Sequence, residues 1–170
     1  LRQIISHEYG RLVERLGRPT IGDGRRQGEP AELIVLAMGK FGGRELNYRS
    51  DLDLVFLYEA DGPTEVLRRS RRGEATTNQH FFSELAQRII KVASQLGPYG
   101  RLYEVDPRLR PTGKSGALAT SLAEFSRYFS SGQGQLWERQ ALCKTRVVMA
   151  SESAARLARS ALFEAAFAPR

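Results

Sequence analysis

Two acidic residues, Asp51 and Asp53, stand at alternate positions in an otherwise apolar run. Side chains on a β-strand alternate between its two faces, so we expect both carboxylates on one face and Leu52 and Leu54 on the other. Two carboxylates this close repel one another, and one of them would hold a proton unless a cation compensates. A divalent metal ion is the natural compensation. The spacing therefore predicts a metal site at the start of a strand.

A third carboxylate on a neighbouring strand would complete such a metal site. The segment YEVDPRLRP offers two acidic residues, Asp106 and Glu104, which would share one face of a strand. Arg108 and Arg110 follow at alternate positions and could extend toward phosphate groups, because the guanidinium fork suits phosphate oxygens. Either arginine could instead pair with Glu104 or with another surface acid. The residues by themselves leave both choices open.

A glycine turn precedes the acidic pair. The apolar run 33–38 leads directly into Gly39 and Lys40. Gly39 would let backbone amides approach a phosphate at the start of a short helix, and Lys40 would add a point charge there. Ser50, directly before the first aspartate, could donate a hydrogen bond to a phosphate. Lys114 lies in a TGKSG segment that lacks the first glycine of a Walker loop, and it is a further candidate for a phosphate contact.

Composition limits the class of protein. The chain has 170 residues, of which 41% are hydrophobic, and this suits one domain with a helical annex. A single cysteine excludes an internal disulfide framework, and two histidines cannot complete a zinc site of the Cys/His type. The formal charge of +7 favours polyanions such as nucleotides. Basic residues are not interleaved with aromatic ones, so we do not expect nucleic-acid binding.

Hydropathy argues against a membrane protein. No apolar run approaches the roughly 20 residues that span a bilayer, and no signal sequence opens the chain. We therefore expect a cytoplasmic protein. The first residue is Leu1 rather than Met, which indicates a piece of a longer protein.

Hydrophobic periodicity divides the chain into three parts. We expect an N-terminal helix and linker over residues 1–30, a catalytic core over 31–120, and a helical extension over 121–170. The predicted elements are a helix over 1–16, strands over 33–38, 51–58 and 101–107, a turn or two of helix over 44–47, a surface loop over 59–77, a helix capped by Thr77 or Asn78 that stops near Gly97, a helix over 122–129 capped by Ser121, and helices over 136–150 and 151–167.

The spacing around the acidic pair resembles a known signature. An apolar residue, Gly39, Lys40, ten further residues and the string DLDL are similar to the nucleotidyltransferase superfamily that includes DNA polymerase beta. Lys40 departs from that pattern, in which Gly or Ser usually follows the turn glycine. The longer string GKFGGRELNYRSDLDL resembles the enzymes that adenylylate and deadenylylate glutamine synthetase. The strings YEVDPRLRP and WERQALCKTRVV extend the resemblance, which covers about residues 33–148.

The resemblance implies a mixed α/β fold with a small sheet, flanking helices and a helical C-terminal extension. It implies that Asp51, Asp53 and Asp106, rather than Glu104, are the catalytic residues and hold Mg²⁺, and that Trp137 is a candidate to close the nucleotide pocket. Proteins of this family have two such domains. One transfers AMP from ATP to a tyrosine of glutamine synthetase, and the strings here look closer to it. The other removes AMP by phosphorolysis to give ADP.

Two further implications concern partners and alternatives. Glutamine synthetase is the implied protein substrate, and a nitrogen-signalling protein is the implied regulator. A non-catalytic module that senses ATP is the alternative of another class. The intact set of three aspartates argues against it, because a sensor does not need three metal-binding carboxylates.

Overall fold

A mixed β-sheet with helices on both faces forms the centre of the molecule. The computed structural model describes residues 1–48, 50–66, 73–97, 100–101, 103–111, 113 and 116–167. In chain order the elements are α1 (Arg2–Leu16), β1 (Arg18–Pro19), β2 (Leu33–Ala37), α2 (Gly39–Gly42), β3 (Leu52–Tyr58), β4 (Thr64–Glu65), α3 (Asn78–Ala93), β5 (Leu96–Gly97), β6 (Gly100–Arg101), β7 (Val105–Asp106), β8 (Ala119–Ser121), α4 (Leu122–Ser130), α5 (Leu136–Leu142), β9 (Arg146–Met149) and α6 (Glu152–Phe167). The expected mixed α/β class is confirmed.

Strand β3 is the hub of the five-stranded main sheet. Its residues 54–58 pair antiparallel with all five residues of β2, and β9 lies on the other edge of β2. The backbone N–H of Leu52 donates to the carbonyl of Glu104 at 2.7 Å, whereas the carbonyl of Asp53 accepts from Met38 at 2.9 Å. Consecutive residues of a strand direct these groups to opposite edges, so β7 lies on the edge of β3 away from β2. The start of β3 therefore has β7 beside it, and its end has β8.

Alternate residues of the two central strands pack into two separate cores. Leu54 and Phe56 face the layer formed by α1 and α3, while Val55 and Leu57 face the layer formed by α4, α5 and α6. Every residue of β2 is buried, as a continuous apolar run predicts for a strand that is covered on both faces. The expected placement of Leu52 and Leu54 on one face is confirmed.

The helix caps follow the sequence closely. Thr77 accepts a hydrogen bond from the backbone of His80 at 3.3 Å and begins α3. Ser121 accepts one from Glu124 at 3.2 Å and begins α4. Such side-chain acceptors satisfy backbone N–H groups that a helix start otherwise leaves unpaired. Within the described residues, no helix has the length and apolar character that a bilayer span requires.

The short helix after β2 lies earlier than the sequence predicts. Residues 44–47 are not helical, and the helical turn is α2, at Gly39–Gly42. The backbone N–H of Gly42 donates to Met38 at 2.7 Å, so the turn closes directly after the strand. Arg44 has φ of 60°, a left-handed conformation that ends a right-handed helix.

The predicted helix over 136–150 is also wrong in its second half. Helix α5 ends at Leu142, and Arg146–Met149 form strand β9. The two β-branched residues Val147 and Val148 favour a strand, and the open edge of β2 supplies the backbone partners that a strand needs. The helix was predicted from apolar spacing alone, and spacing does not reveal that β2 has an open edge with which residues 146–149 can pair.

Smaller differences surround the site. The predicted strand over 101–107 is divided: Val105–Asp106 joins the main sheet, Gly100–Arg101 pairs with Leu96–Gly97, and residue 102 lies outside the described residues. Helix α3 ends at Ala93 instead of near Gly97. The surface loop expected over 59–77 contains β4, which pairs with β1, while residues 67–72 lie outside the described residues.

Candidate active site

Parallel pairing of β3 with β7 brings two of the predicted site residues side by side. Leu52 lies opposite Val105, and Asp53 lies directly opposite Asp106. Asp51 comes immediately before β3 and is exposed, whereas Asp53 is partly buried. The acidic pair therefore stands at the start of a strand whose remaining residues are apolar and buried, which gives the carboxylates a rigid base.

Gly39 packs directly against one of these carboxylates. Its φ is +50°, and a Cβ atom at this position would lie 2.3 Å from Oδ2 of Asp53. A side chain here would therefore need both a rare backbone conformation and the space of the carboxylate. The sequence suggests glycine for approach to a phosphate. The structure adds that glycine is required for the position of Asp53.

Charges of opposite sign meet at Asp53. Its pKa is raised above the ordinary value, first because burial desolvates the carboxylate and then because Asp106 and Asp51 repel it. The positive charges of Arg108 and Lys40 act in the opposite direction. The three carboxylates thus share one electrostatic environment, and a cation there is favoured.

Arg108 pairs with Asp106, one of the predicted site residues. Its Nε donates to Oδ1 at 2.8 Å and to Oδ2 at 2.7 Å, and its Nη2 also donates to Oδ2. The backbone N–H of Arg108 donates to Oδ1 at 2.9 Å. These hydrogen bonds, followed by the charges of Asp106, Asp51 and Asp53, raise the pKa of Arg108. The arginine is thus a positive charge already aligned at the acidic cluster.

Arg110 braces the loop that follows β7. It donates from Nη1 to the carbonyl of Pro107 at 2.7 Å and from Nε to that of Ala117 at 3.1 Å. Burial lowers the pKa of Arg110. The guanidinium therefore ties together the two ends of the loop between β7 and β8.

The other predicted contacts lie close to the aspartates in sequence. Lys40 is the second residue of α2 and is exposed. The hydroxyl of Ser50 accepts a hydrogen bond from the backbone of Asn47 at 3.0 Å, which leaves its own hydrogen for another acceptor. The backbone of Glu104 supports Leu52, and its side chain is exposed.

Two remaining candidates are less informative. Trp137 is 52% exposed on α5, and its indole N–H donates to Gln135 Oε1 at 2.6 Å. Lys114 lies outside the described residues.

Carboxylate oxygens, which Asp51, Asp53 and Asp106 carry, are the hard donors that Mg²⁺ prefers. In the part of the chain that the structure describes, no three His, Cys, Asp or Glu side chains are arranged so that they could hold a metal ion. Arg108 supplies the cation at Asp106 instead. The carboxylate oxygens are thus of the type that suits magnesium, and in this structure Arg108 forms a salt bridge with one of the three carboxylates, that of Asp106.

Sequence reasoning missed the residues that support the glycine turn from behind. Arg146 donates from Nε to the carbonyl of Gly42 at 2.7 Å and from Nη2 to that of Phe41 at 2.9 Å. A Cβ atom on Gly42 would lie 2.2 Å from the carbonyl oxygen of Lys144. The available signal was the glycine pair Gly42-Gly43 in GKFGG, since closely spaced glycines often mark close backbone approach.

Two clefts in the described part of the molecule are lined by residues other than the three aspartates. One, of about 550 Å³, is lined by α1, the start of β2 and residues after β9, at the end of β2 opposite Gly39. A second, of about 380 Å³, lies between α4 and the loop that follows Asp106. Helix α4 contributes Tyr128 to its lining, and the loop contributes Pro111 and Ala117.

Comparisons with known proteins agree on one family. A family model described as glutamate-ammonia ligase adenylyltransferase matches residues 1–160. A bifunctional glutamine synthetase adenylyltransferase/adenylyl-removing enzyme from Pseudomonas aeruginosa is 44% identical over 146 residues, which are 86% of this chain and 14% of that protein. Proteins of the same description are 43% identical over 149 residues in Thioalkalivibrio sulfidiphilus, covering 87% and 14%, and 42% identical over 143 residues in Pasteurella multocida, covering 84% and 14%. The chain thus spans about 14% of the length of these relatives.

Proposed function

The chain belongs to the glutamate-ammonia ligase adenylyltransferase family, and we propose that it is a nucleotidyltransferase domain that moves AMP from ATP to a tyrosine of glutamine synthetase. The observation that carries the proposal is the register of β3 and β7, in which Asp53 lies opposite Asp106 beside the Gly39 turn. The names of the relatives, which describe both adenylyl transfer and adenylyl removal, support the substrate class.

Asp51, Asp53 and Asp106 are the proposed magnesium ligands and catalytic residues. Their mutual repulsion makes a cation favourable, and carboxylate oxygens are the donors that the ion prefers. When bound, Mg²⁺ supplies positive charge that offsets the negative charge of a triphosphate. Asp53 is fixed by the backbone of Gly39 on one side and by the β7 pairing on the other.

The positive residues around the aspartates are the proposed triphosphate contacts. Lys40 and Arg108 already neutralise the acidic cluster, and Arg108 would exchange its carboxylate partner for phosphate oxygens when the nucleotide binds. Ser50 would donate its hydroxyl hydrogen to a phosphate, and the backbone at Gly39 would approach the nucleotide. Arg110 would contact the triphosphate from the loop between β7 and β8, whose two ends it joins.

In the proposed reaction the tyrosine hydroxyl of glutamine synthetase attacks the α-phosphorus of ATP in line with the leaving group. The tyrosine oxygen forms a bond to the α-phosphorus, the bond from the α-phosphorus to pyrophosphate breaks, pyrophosphate is released and the hydroxyl proton passes to solvent. Chemistry of this type depends mainly on alignment and charge, both of which the site can supply. We place the reaction in the cytoplasm, with a nitrogen-signalling protein as regulator, as the sequence resemblance implies.

Incubation of the chain with Mg²⁺, α-labelled ATP and unmodified glutamine synthetase tests the proposal. Label on the synthetase that disappears in Asp53→Asn would support it. A parallel reaction contains adenylylated synthetase and phosphate, and release of ADP only there would assign the chain to the adenylyl-removing reaction instead. Binding of ATP without turnover in either reaction would favour a sensor.

A further inference from the structure

The guanidinium of Arg146, on strand β9 beside β2, contacts the glycine turn α2. Arg146 opens β9 opposite Ala37 and donates to the carbonyls of Phe41 and Gly42 at 2.9 and 2.7 Å. Its Cζ atom also lies 5.8 Å from the centre of the Phe41 ring. One side chain thus binds both the backbone and the aromatic residue of the turn.

The two carbonyls that Arg146 contacts belong to the end of α2. Carbonyl groups at the end of a helical turn lack partners within the helix and carry partial negative charge, so a cation is suited to them. The planar fork of arginine can donate to two carbonyls at once, which a lysine ammonium cannot do in the same fixed geometry. The contact therefore limits how α2 can shift or tilt.

The turn is held tightly at both ends. On the β9 side, a Cβ atom on Gly42 would lie 2.2 Å from the carbonyl oxygen of Lys144. On the other side, a Cβ atom on Gly39 would lie 2.3 Å from the carboxylate of Asp53. Gly39 and Gly42, the two ends of α2, thus abut Asp53 and Lys144 with no side chain of their own between, so a displacement of α2 would act on the carboxylate.

We infer that Arg146 is a positioning residue that holds the α2 turn against Asp53. The inference rests on the proposed function, because its consequence is that loss of Arg146 weakens binding of the ATP–magnesium complex. Arg146 acts through α2 and Asp53, so it need not touch the nucleotide.

The test compares Arg146→Ala with Arg88→Ala. Arg88 also joins two elements, since it pairs with Glu8 of α1 and Glu84 of α3, and neither of these partners belongs to α2. Binding of a fluorescent ATP analogue is titrated in the presence of Mg²⁺, and the unfolding midpoint of each variant is recorded. We expect at least about tenfold weaker binding in Arg146→Ala, because small misplacements at a site are costly. Arg88→Ala should lose stability with unchanged affinity.

Two further readouts separate positioning from general stability. Methylguanidinium at millimolar concentration should restore binding to Arg146→Ala and leave Arg88→Ala unaffected, and Arg146→Lys should recover only part of the affinity. Hydrogen exchange at the amides of Gly42 and Gly43, which donate to Met38 and Gly39, should become faster in Arg146→Ala without any nucleotide.

The outcomes are distinguishable. If the unaltered chain binds no nucleotide, the proposed function fails, and hydrogen exchange still tests the contact between Arg146 and α2. Unchanged exchange at Gly42 and Gly43 would overturn the inference. Faster exchange with normal nucleotide affinity would also overturn it, because Arg146 would then have only a structural role.

Discussion

Residue 39 must be glycine because of what stands beside it. The space of a Cβ atom at this position is taken by Oδ2 of Asp53, and the backbone is left-handed. In the sequence, Gly39 and Asp53 are two separate features, a turn and an acid. In the structure they are one feature, since the position of the carboxylate depends on the missing side chain.

Substitution of Gly39 by alanine tests this contact. The left-handed conformation alone should cost about 1–2 kcal/mol in free energy of unfolding. The added methyl group should also displace Asp53, so binding of the ATP–magnesium complex should be lost. Urea unfolding and nucleotide titration measure the two effects.

Gly132 provides the matched control, because it has φ of +79° and open space where a Cβ atom would lie. Gly132→Ala should show the same conformational cost with normal nucleotide binding. Equal binding in the two variants would contradict the proposed link between Gly39 and Asp53.

Asp53 is a site where removal of a charge should not harm the fold. Its pKa is raised by burial and by repulsion from Asp106 and Asp51, so the charged form is disfavoured in the folded protein. We expect Asp53→Asn to unfold at the same or a higher urea concentration and to have no transfer activity. Asp23→Asn, in an exposed loop, serves as the control and should keep full activity. Substantial transfer by Asp53→Asn would refute the assignment of the metal site.

At the scale of elements, the packing of α1 on α3 combines apolar contacts with a charged cluster. Phe81, Phe82 and Leu85 of α3 are fully buried, while Glu84 beside them pairs with Arg15 of α1 and with Arg88 at 3.0 Å. Burial acts to raise the pKa of Glu84, but the hydrogen bonds and charges of the two arginines outweigh it and lower the pKa. The contact between these helices is thus sensitive to acid.

Stability should fall in acid partly through Glu84. A carboxyl group whose pKa is lowered in the folded state stabilises the protein at pH values above its pKa in the unfolded chain, here 4.5. This contribution is lost as the pH falls through the pKa of the folded state. In Glu84→Gln, the drop in unfolding midpoint between pH 7 and acidic pH should be smaller than in the unaltered chain.

The control for Glu84 is Glu124→Gln, which removes a carboxylate paired with Arg127 on the exposed surface of α4. Exposed pairs contribute little, so this variant should retain the original acid sensitivity. An identical response of Glu84→Gln and the unaltered chain would show that the cluster between α1 and α3 does not determine the loss.

At the scale of the whole molecule, one sheet is shared by two cores. Strands β2 and β3 contribute alternate residues to the core under α1 and α3 and to the core under α4, α5 and α6. Neither layer can lose its helices without exposing one face of the same two strands to water. We therefore expect both layers to unfold in a single transition.

Trp137 allows this coupling to be measured from the far layer. It is the only tryptophan and lies on α5, whereas Leu12 is fully buried in the core beneath α1. Leu12→Ala should cost about 2–5 kcal/mol, and the loss should be visible in the fluorescence of Trp137 as well as in circular dichroism. Leu157→Ala, half exposed on α6, should change stability little. Two separate transitions would show that the layers unfold independently.

Much of the local structure could be predicted because it depends on neighbours in the chain. The caps at Thr77 and Ser121 and the two faces of β3 follow from side-chain chemistry over a few residues. Helix α5 and strand β9 could not be separated in this way, since the open edge of β2 decides where the strand forms. The absence of a helix over residues 44–47 likewise depends on the left-handed conformation of Arg44.

The sequence by itself determined the kind of chemistry, because an acidic pair at alternate positions and a preceding glycine turn are local features that carry their own physical meaning. Only the tertiary structure decided which groups meet. Strand register set Asp106 opposite Asp53. The bond from Arg146 to Gly42 joins residues 104 positions apart. Contacts of this kind depend on how strands and helices pack, which no short window of sequence contains.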